Sequence, residues 1–166
     1  MMDWNRTIRA AVREVTPYVP GKRGEDSGEG APVPLKLSSN ECAFPTSEPI
    51  MSSLREALGE LNRYPDPDCD RLKTALSERH EVPRDRIAIG SGSNELLDIL
   101  AWTVLDPGDE VVYPWPSFIV YPSMAHKQGA VAVPVPLTDD YVVDLEALLG
   151  AVTERTKLVL VCNPNN

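Results

Sequence analysis

A short turn rich in glycine and serine, "GSGSN" at residues 90–94, has the residue types that bind an anion. It joins a predicted strand to a predicted helix, so the first N–H groups of that helix and the positive end of its dipole point at the turn. Small residues let a phosphate approach the backbone closely. Gly92, Ser93 and Asn94 are therefore candidate phosphate ligands, and a plain tight turn with a Ser or Asn cap is the alternative.

Two further stretches follow predicted strands and carry groups that suit a flat, polar ligand. "YPWPSF" at 113–118 delivers Phe118, whose ring could stack on a heterocycle, although its apolar character also fits a core residue of the next helix. "NPNN" at 163–166 places the amide of Asn166 where it could donate to a ligand oxygen, and a simple Asx turn is the alternative. Together the three stretches offer an anion site, an aromatic wall and an amide donor.

The elements that must position these stretches alternate between strand and helix after Pro83. Strands are predicted at 86–92, 110–114, 130–135 and 157–162, and helices at 93–104, 117–128 and 144–152. This alternation predicts an α/β fold with a mostly parallel sheet and flanking helices. Ligands bind beyond the carboxyl ends of the strands in such sheets, so the three stretches are expected at one edge.

The sequence before Pro83 has patterns that predict helices and an N-terminal arm. Apolar spacing and capping residues predict a helix at 8–15 ended by Pro17, a helix with Ser47 as N-cap and Pro49 in its first turn, and a helix capped by Asp68 or Asp70. The Gly- and Pro-rich stretch at 17–34 predicts an exposed, mobile linker. "LKLSSNE" at 35–41 predicts a brief strand.

Composition and charge narrow the classes of partner. Of 166 residues, 25 are acidic and 16 basic, and the net charge of −9 repels a nucleic-acid backbone. No apolar run approaches the roughly 20 residues that cross a bilayer, and the first ten residues lack the apolar stretch of a signal peptide, so we expect a cytoplasmic protein with no membrane segment. Cys42, Cys69 and Cys162 show neither C-x-x-C spacing nor nearby histidines, so no disulfide framework and no metal site are expected.

Five motifs, in order, resemble the fold-type-I pyridoxal-phosphate aminotransferases (class I/II), and their detail is most similar to the histidinol-phosphate aminotransferase group. They are "LSSNE" at 37–41, "RYPD" at 63–66, "IGSGSNELLDIL" at 89–100, "DPGDEVVYPWPSF" at 106–118 and the terminal "NPNN". The resemblance implies the N-terminal part of that transferase fold, with pyridoxal 5′-phosphate as cofactor. It also implies a small-molecule amino donor, a 2-oxo acid and a homodimer.

The resemblance assigns cofactor contacts residue by residue. Gly92, Ser93 and Asn94 would hold the cofactor phosphate, with Asn94 in a place often held by Asp. Phe118 would stack on the pyridine ring in place of the more usual Tyr. Asn166 would hydrogen-bond the phenolic oxygen of the ring.

Three residues before Pro83 also receive roles from the resemblance. Tyr64 would reach the cofactor phosphate of the neighbouring subunit across a dimer interface, and Asn40 and Glu41 would line the substrate end of the site. The stretch "NECAFPTSEP" departs from the usual Asn-Glu-Asn-Pro at that point. Pro122, inside the predicted helix after Phe118, should kink or delay that helix.

The family continues the last motif as N-P-N-N-P-T-G, so the resemblance implies a fragment cut inside its cofactor pocket. The lysine that forms the Schiff base is expected downstream of the chain end. Its role is therefore carried onto none of the lysines present, which are Lys22, Lys36, Lys73, Lys127 and Lys157. On the same basis, 1–45 is predicted to be an N-terminal helix, flexible linker and arm, and 46–166 the first part of the large cofactor-binding α/β domain.

The predicted activity of the full-length protein is amino transfer between histidinol phosphate and 2-oxoglutarate, a step of histidine biosynthesis. An aromatic aminotransferase or a threonine-phosphate decarboxylase of the same fold is the alternative within the family. A catalytically inactive, truncated fragment is a second class of explanation. A generic nucleotide-binding domain is a third, but the turn at 90–94 lacks the third glycine of G-x-G-x-x-G and the Gly-Lys-Ser of a P-loop.

Overall fold

The computed structural model describes residues 7–13, 15–17 and 39–166. These residues belong to two compact units, one formed by 1–16 with 85–166 and the other by 17–84. The predicted linker lies outside the described residues except for Pro17, as does the predicted strand except for 39–41, which is not a strand. The domain boundary expected between residues 45 and 46 stays a prediction.

The described elements follow the predicted order. The helices are α1 (Ala10–Arg13), α2 (Glu48–Ala57), α3 (Asp70–His80), α4 (Ser93–Val104), α5 (Val120–Gln128) and α6 (Leu145–Gly150). The strands are β1 (Glu110–Trp115), β2 (Val131–Pro136) and β3 (Thr156–Val159). Short 3-10 helices lie at Leu58–Glu60 and Arg84–Arg86.

The three strands form one parallel sheet with β1 in the centre, in the order β2-β1-β3. Val112 of β1 lies opposite Val133 on one side and Val159 on the other. The ladder continues one residue beyond β3, because the N–H of Leu160 donates to the carbonyl of Val112 at 2.9 Å. Since parallel strands need crossover connections, the chain returns through a helix each time, and this confirms the predicted α/β fold.

Successive residues of β1 point to opposite faces of the sheet and build two separate cores. Val111 and Tyr113 face α4 and α5, where Met124 is fully buried. Val112 faces the other way and packs with Val135 and with Leu148 of α6. Helices therefore cover both faces, which explains why β1 is apolar almost throughout.

The starts of α2 and α3 show one success and one error of the sequence prediction. Ser47 is the N-cap of α2, with a proline in the first turn as predicted. Neither Asp68 nor Asp70 caps α3, because the N-cap is Cys69 in a left-handed conformation (φ 49°). The Asp66 carboxylate instead accepts from the N–H groups of Asp68 at 3.0 Å and Asp70 at 2.7 Å, and the bond from Asp70, then that from Asp68, lowers the pKa of Asp66. The acidic residue that serves the helix thus lies further back along the chain than capping statistics suggested.

The strand predicted at 86–92 is not found in the described residues. Ile87 and Ile89 are half-buried and alternate with the exposed Ala88, which is the burial pattern of a strand. A strand also needs a hydrogen-bonded neighbour, and the described sheet pairs only β1, β2 and β3. The prediction of a strand at 86–92 is therefore wrong, although the burial of its apolar residues alternates.

Pro122 delays α5, one of the two outcomes predicted for it. It is the third residue of the helix, within the first turn, where a backbone N–H has no helical partner. In the part of the chain that the structure describes, no helix has the length and apolar character required to cross a membrane.

Candidate functional site

The glycine- and serine-rich turn leads directly into the first turn of α4. Gly92 is the N-cap residue, with φ 85° and ψ 175°, a conformation essentially restricted to glycine. Open space surrounds the position that its Cβ would occupy. Ser93 and Asn94 are exposed as the first two helical residues, and no described side chain caps the helix. Gly92 offers no side chain to the first N–H groups of α4, and a helix start of this kind can bind a phosphate.

Glu95 supports this turn from within. Its carboxylate accepts a hydrogen bond from the N–H of Ser91. A Cβ at Gly90 would lie 3.0 Å from the Glu95 carboxylate and 3.1 Å from the Leu96 side chain, so a larger residue there requires these side chains to shift. The carboxylate fixes the start of the turn, while the donors of the first helical turn are left to a ligand.

Phe118 lies just beyond the end of β1 and is half-buried. Its ring meets the Tyr121 ring edge-on, with centroids 5.7 Å apart and planes at 88°. The side chain packs against the buried cluster on the α4 and α5 side of the sheet. Phe118 thus packs in part as a core residue, one of the two interpretations drawn from the sequence, and its stacking on a ligand stays a prediction.

The terminal turn is hydrogen-bonded to the loop that carries Phe118. The Ser117 hydroxyl donates to Oδ1 of Asn165 at 2.6 Å, and Nδ2 of Asn165 donates to the carbonyl of Pro116 at 3.0 Å. Asn166 follows directly and is exposed. Sequence reasoning passed over Ser117 and Asn165, although both lie inside the stretches it selected. Their polarity beside two candidate ligands was the available signal.

A second connection joins the same two segments inside the core. Tyr121 of α5 is buried in the core cluster, and the side chain of Cys162, just after β3, packs against the same cluster. Burial, and then this contact with Cys162, raises the pKa of Tyr121 to about 12. The phenol therefore stays neutral at physiological pH and serves as a structural group.

Only residues 105–109 separate the end of α4 from the start of β1, so the end of the helix lies near the amino edge of the sheet. Leu97 and Ala101 of α4 pack with the core cluster that contains Val111 and Tyr113 of β1. The expectation that Gly92 and Ser93 lie at the carboxyl edge, beside Phe118 and the terminal turn, stays a prediction.

Comparisons with known proteins agree with this arrangement. A family model described as aminotransferase class I and II matches residues 32–166. An aromatic amino acid aminotransferase of Streptomyces avermitilis is 42% identical over 166 residues, which is 100% of this chain and 45% of that protein. Another from Corynebacterium diphtheriae is 45% identical over 159 residues, which is 96% of this chain and 44% of that protein.

A solved structure shows the same fold. The crystal structure of histidinol-phosphate aminotransferase from Sinorhizobium meliloti, in complex with pyridoxal-5′-phosphate, matches with a TM-score of 0.72 and 32% identity over 77% of this chain and 35% of that one. The family follows from the match to its model. The chain belongs to the class I and II aminotransferases.

Membership of the class I and II aminotransferases confirms the predicted fold and the predicted family. The family depends on pyridoxal 5′-phosphate, as the resemblance implied. The chain spans 45% of the Streptomyces relative's length. Both curated relatives named above are aromatic amino acid aminotransferases, so the finer prediction of histidinol phosphate lacks their support.

Three residues with predicted roles belong to the unit formed by 17–84. Tyr64 is fully exposed, and Asn40 and Glu41 are exposed as well. Their contacts to cofactor or substrate remain predictions.

The lysines that the structure describes include one with a clear structural role. Nζ of Lys127 on α5 lies 2.8 Å from the Asp98 carboxylate on α4, so this ion pair joins the two helices over the sheet. No group of His, Cys, Asp and Glu side chains suited to a metal ion occurs among the described residues.

Proposed function

We propose that this protein is a pyridoxal-phosphate-dependent aminotransferase that takes the amino group from an aromatic amino acid and passes it to a 2-oxo acid such as 2-oxoglutarate. One observation carries the proposal: the loop after β1 that carries Phe118 is hydrogen-bonded, through Ser117 and Asn165, to the terminal turn after β3 that carries Asn166. The glycine-formed start of α4 is expected at the same edge of the sheet. The identity to two aromatic amino acid aminotransferases supports the choice of donor.

The phosphate is assigned to the turn at the start of α4. Gly92, Ser93 and Asn94 would hold it through backbone N–H groups and the Ser93 hydroxyl, in the field of the helix dipole. Open space at Gly92 lets the phosphate come close to the backbone. Backbone N–H groups can bind the anion there without a neighbouring lysine or arginine. This is consistent with a chain in which acidic residues outnumber basic ones and the net charge is −9.

Binding of the cofactor's pyridine ring is assigned to Phe118 and Asn166. Phe118 presents a ring held edge-on by Tyr121, so it can support a flat heterocycle without moving. The Asn166 amide would donate to the phenolic oxygen of the cofactor. When bound, the cofactor supplies an electron sink for the bond that breaks at the α-carbon of the amino acid. The chain holds and orients that group and excludes water from one of its faces.

We assign the proton-transferring lysine to none of the five lysines of this sequence. Lys127 is paired with Asp98, and no motif connects Lys73 or Lys157 to the site. The proposal therefore concerns the full-length gene product. It includes a homodimer in which Tyr64 contacts the partner's cofactor, a role supported by the complete exposure of its ring.

Histidinol phosphate is the second candidate donor. The likeness to the Sinorhizobium meliloti enzyme, with a TM-score of 0.72, favours it, as do the motifs that first suggested that group. A threonine-phosphate decarboxylase activity uses the same kind of pocket and remains an alternative.

Steady-state kinetics of the full-length gene product with pyridoxal phosphate and 2-oxoglutarate would separate these activities. L-Phenylalanine, L-tyrosine, histidinol phosphate and O-phosphothreonine are compared as substrates. We expect kcat/KM for an aromatic amino acid to exceed that for histidinol phosphate by roughly tenfold or more, since one well-placed contact is worth about 1.4 kcal/mol. A preference for histidinol phosphate would overturn the aromatic assignment, and no turnover of any substrate would favour the inactive alternative.

A further inference from the structure

We propose that Ser117 and Asn165 are positioning residues, which hold the Phe118 ring and the Asn166 amide in a fixed relation to each other. The inference rests on the proposed function, because it concerns the two residues assigned to the cofactor ring. It gives a role to two polar side chains to which the family resemblance assigned none. We call the pair, with the Pro116 carbonyl, the clasp.

Hydrogen-bond chemistry fixes the orientation of the clasp. The Pro116 carbonyl can only accept, so the group of Asn165 that lies 3.0 Å from it is the Nδ2 donor. The other end of the same amide, Oδ1, must then accept from the Ser117 hydroxyl at 2.6 Å. One side chain thus satisfies a donor and an acceptor on the opposite loop, and a flipped amide would place an oxygen against the Pro116 carbonyl and lose that bond.

Ser117 is buried, so its hydroxyl depends on the hydrogen bond to Asn165. Ser117 is 9% exposed, and the chain offers its hydroxyl a partner from a segment 48 residues away. A buried hydroxyl that loses its partner is costly, since it can no longer exchange that bond for one with water. The two loops are therefore held together by a polar contact that discriminates strongly between correct and shifted arrangements.

The covalent neighbours of the clasp connect it to the cofactor ring. Ser117 directly precedes Phe118, and Asn165 directly precedes Asn166. Adjacent Cα atoms are about 3.8 Å apart, so a shift of either clasp residue moves the ligand-facing residue beside it. Binding groups must be held within about 0.5 Å of their productive positions. Loss of the clasp hydrogen bonds should therefore displace both the Phe118 ring and the Asn166 amide.

A matched link at the other end of the same two strands provides a control. Glu110, the first residue of β1, accepts a hydrogen bond from the Thr153 hydroxyl at 2.5 Å, just before β3. This link also joins the β1 and β3 segments, here between the exposed Thr153 and the buried Glu110, but it lies at the amino edge of the sheet. Thr153→Ala therefore removes a comparable bond without approaching the site.

The test uses the full-length gene product and four variants: Ser117→Ala, Ser117→Thr, Asn165→Asp and Thr153→Ala. Equilibrium titration with pyridoxal 5′-phosphate gives the Kd, the absorption maximum of the bound cofactor reports its surroundings, and a thermal melt of the cofactor-free protein gives Tm. Ser117→Thr keeps the hydroxyl. Asn165→Asp keeps the acceptor for Ser117 but places an oxygen against the Pro116 carbonyl.

We expect Ser117→Ala and Asn165→Asp to raise the Kd by roughly five- to tenfold and to shift the absorption maximum, as loss of about one hydrogen bond would. Ser117→Thr should restore the wild-type Kd. Thr153→Ala should lower Tm with the Kd unchanged. Because Tyr121 and Cys162 still join the two segments, the clasp variants should remain folded.

The outcomes separate this inference from the proposed function. If the wild-type protein binds the cofactor and the clasp variants bind it equally well, with only Tm lowered, the clasp is a stabilising contact and the inference is wrong while the function stands. If Ser117→Ala does not fold, Asn165→Asp decides by the same comparison. A wild-type protein that binds no pyridoxal phosphate overturns the proposed function and this inference together.

Discussion

Gly92 shows most clearly how a single residue shapes the site. Its φ of 85° and ψ of 175° lie where a side chain costs about 1–3 kcal/mol, yet nothing nearby would collide with a Cβ. The glycine is required by backbone conformation and not by crowding. The open volume is then available to a phosphate, which is the role assigned to this turn.

Gly92→Ala should therefore lower the free energy of unfolding by about 1–3 kcal/mol and weaken the binding of pyridoxal phosphate. Gly59→Ala is the matched control, since Gly59 also has open space and lies in a 3-10 helix without a positive φ. It should leave stability unchanged or raise it by about 0.4–1 kcal/mol. Denaturant unfolding and cofactor titration of both variants measure these effects, and equal behaviour of the two would contradict the backbone argument.

At the residue scale, the sequence indicated which residue types suit the site, but it did not indicate which residues contact each other. Glycine, serine and asparagine before a helix predicted an anion site, because that chemistry is local. The clasp between Ser117 and Asn165 joins residues 48 positions apart, and no local pattern encodes such a contact. The same holds for Tyr121 and Cys162, which pack together in the core.

Among the elements, the link between β1 and β3 depends on the ionised form of Glu110. The Thr153 hydroxyl, followed by the Arg155 guanidinium, holds the pKa of this buried carboxyl below its ordinary value of 4.5, against the opposing effect of burial. A carboxyl whose pKa is lowered by folding stabilises the protein above its unfolded pKa, and that contribution disappears as the pH falls through the folded pKa.

The difference in Tm between wild type and Glu110→Gln should accordingly be largest near neutral pH and shrink as the pH is lowered below about 4.5. Thermal melts from pH 7 downward measure it. Glu154→Gln controls for the change in net charge, because it removes an exposed carboxylate from the loop before β3. A difference between wild type and Glu110→Gln that stays constant over the whole range would show that the ionised carboxyl is not the stabilising group.

The prediction of helices and strands succeeded where a local apolar pattern defines the element. It failed where a strand needs a hydrogen-bonded neighbour. The helix at 93–104 and the strands that became β1 and β2 follow from apolar periodicity, and the structure reproduces them closely. The strand predicted at 86–92 has the alternating burial of a strand but no neighbour among the described residues. The cap of α3 was misplaced because Asp66 acts across a left-handed Cys69, a conformation that sequence statistics do not reveal.

At the scale of the whole molecule, five ordered motifs predicted the family correctly, because their order reflects one fold with one cofactor site. The amino donor is a different matter. Substrate choice depends on side chains that touch the donor, and Asn40 and Glu41 were assigned to it only by resemblance. Two relatives that are 42% and 45% identical are aromatic amino acid aminotransferases, and the proposal of an aromatic donor rests on that likeness.

The central claim is that the turn at Gly92 and Ser93 anchors a phosphate whose attached ring rests on Phe118. Titration of the full-length gene product with pyridoxal 5′-phosphate, in parallel with pyridoxal that lacks the phosphate, tests it most directly. We predict saturable binding of the phosphorylated compound and affinity weaker by roughly a hundredfold for pyridoxal, since charge-assisted bonds to a phosphate are worth about 1.5–3 kcal/mol each. Equal affinities, or no saturable binding of either compound, would contradict the account.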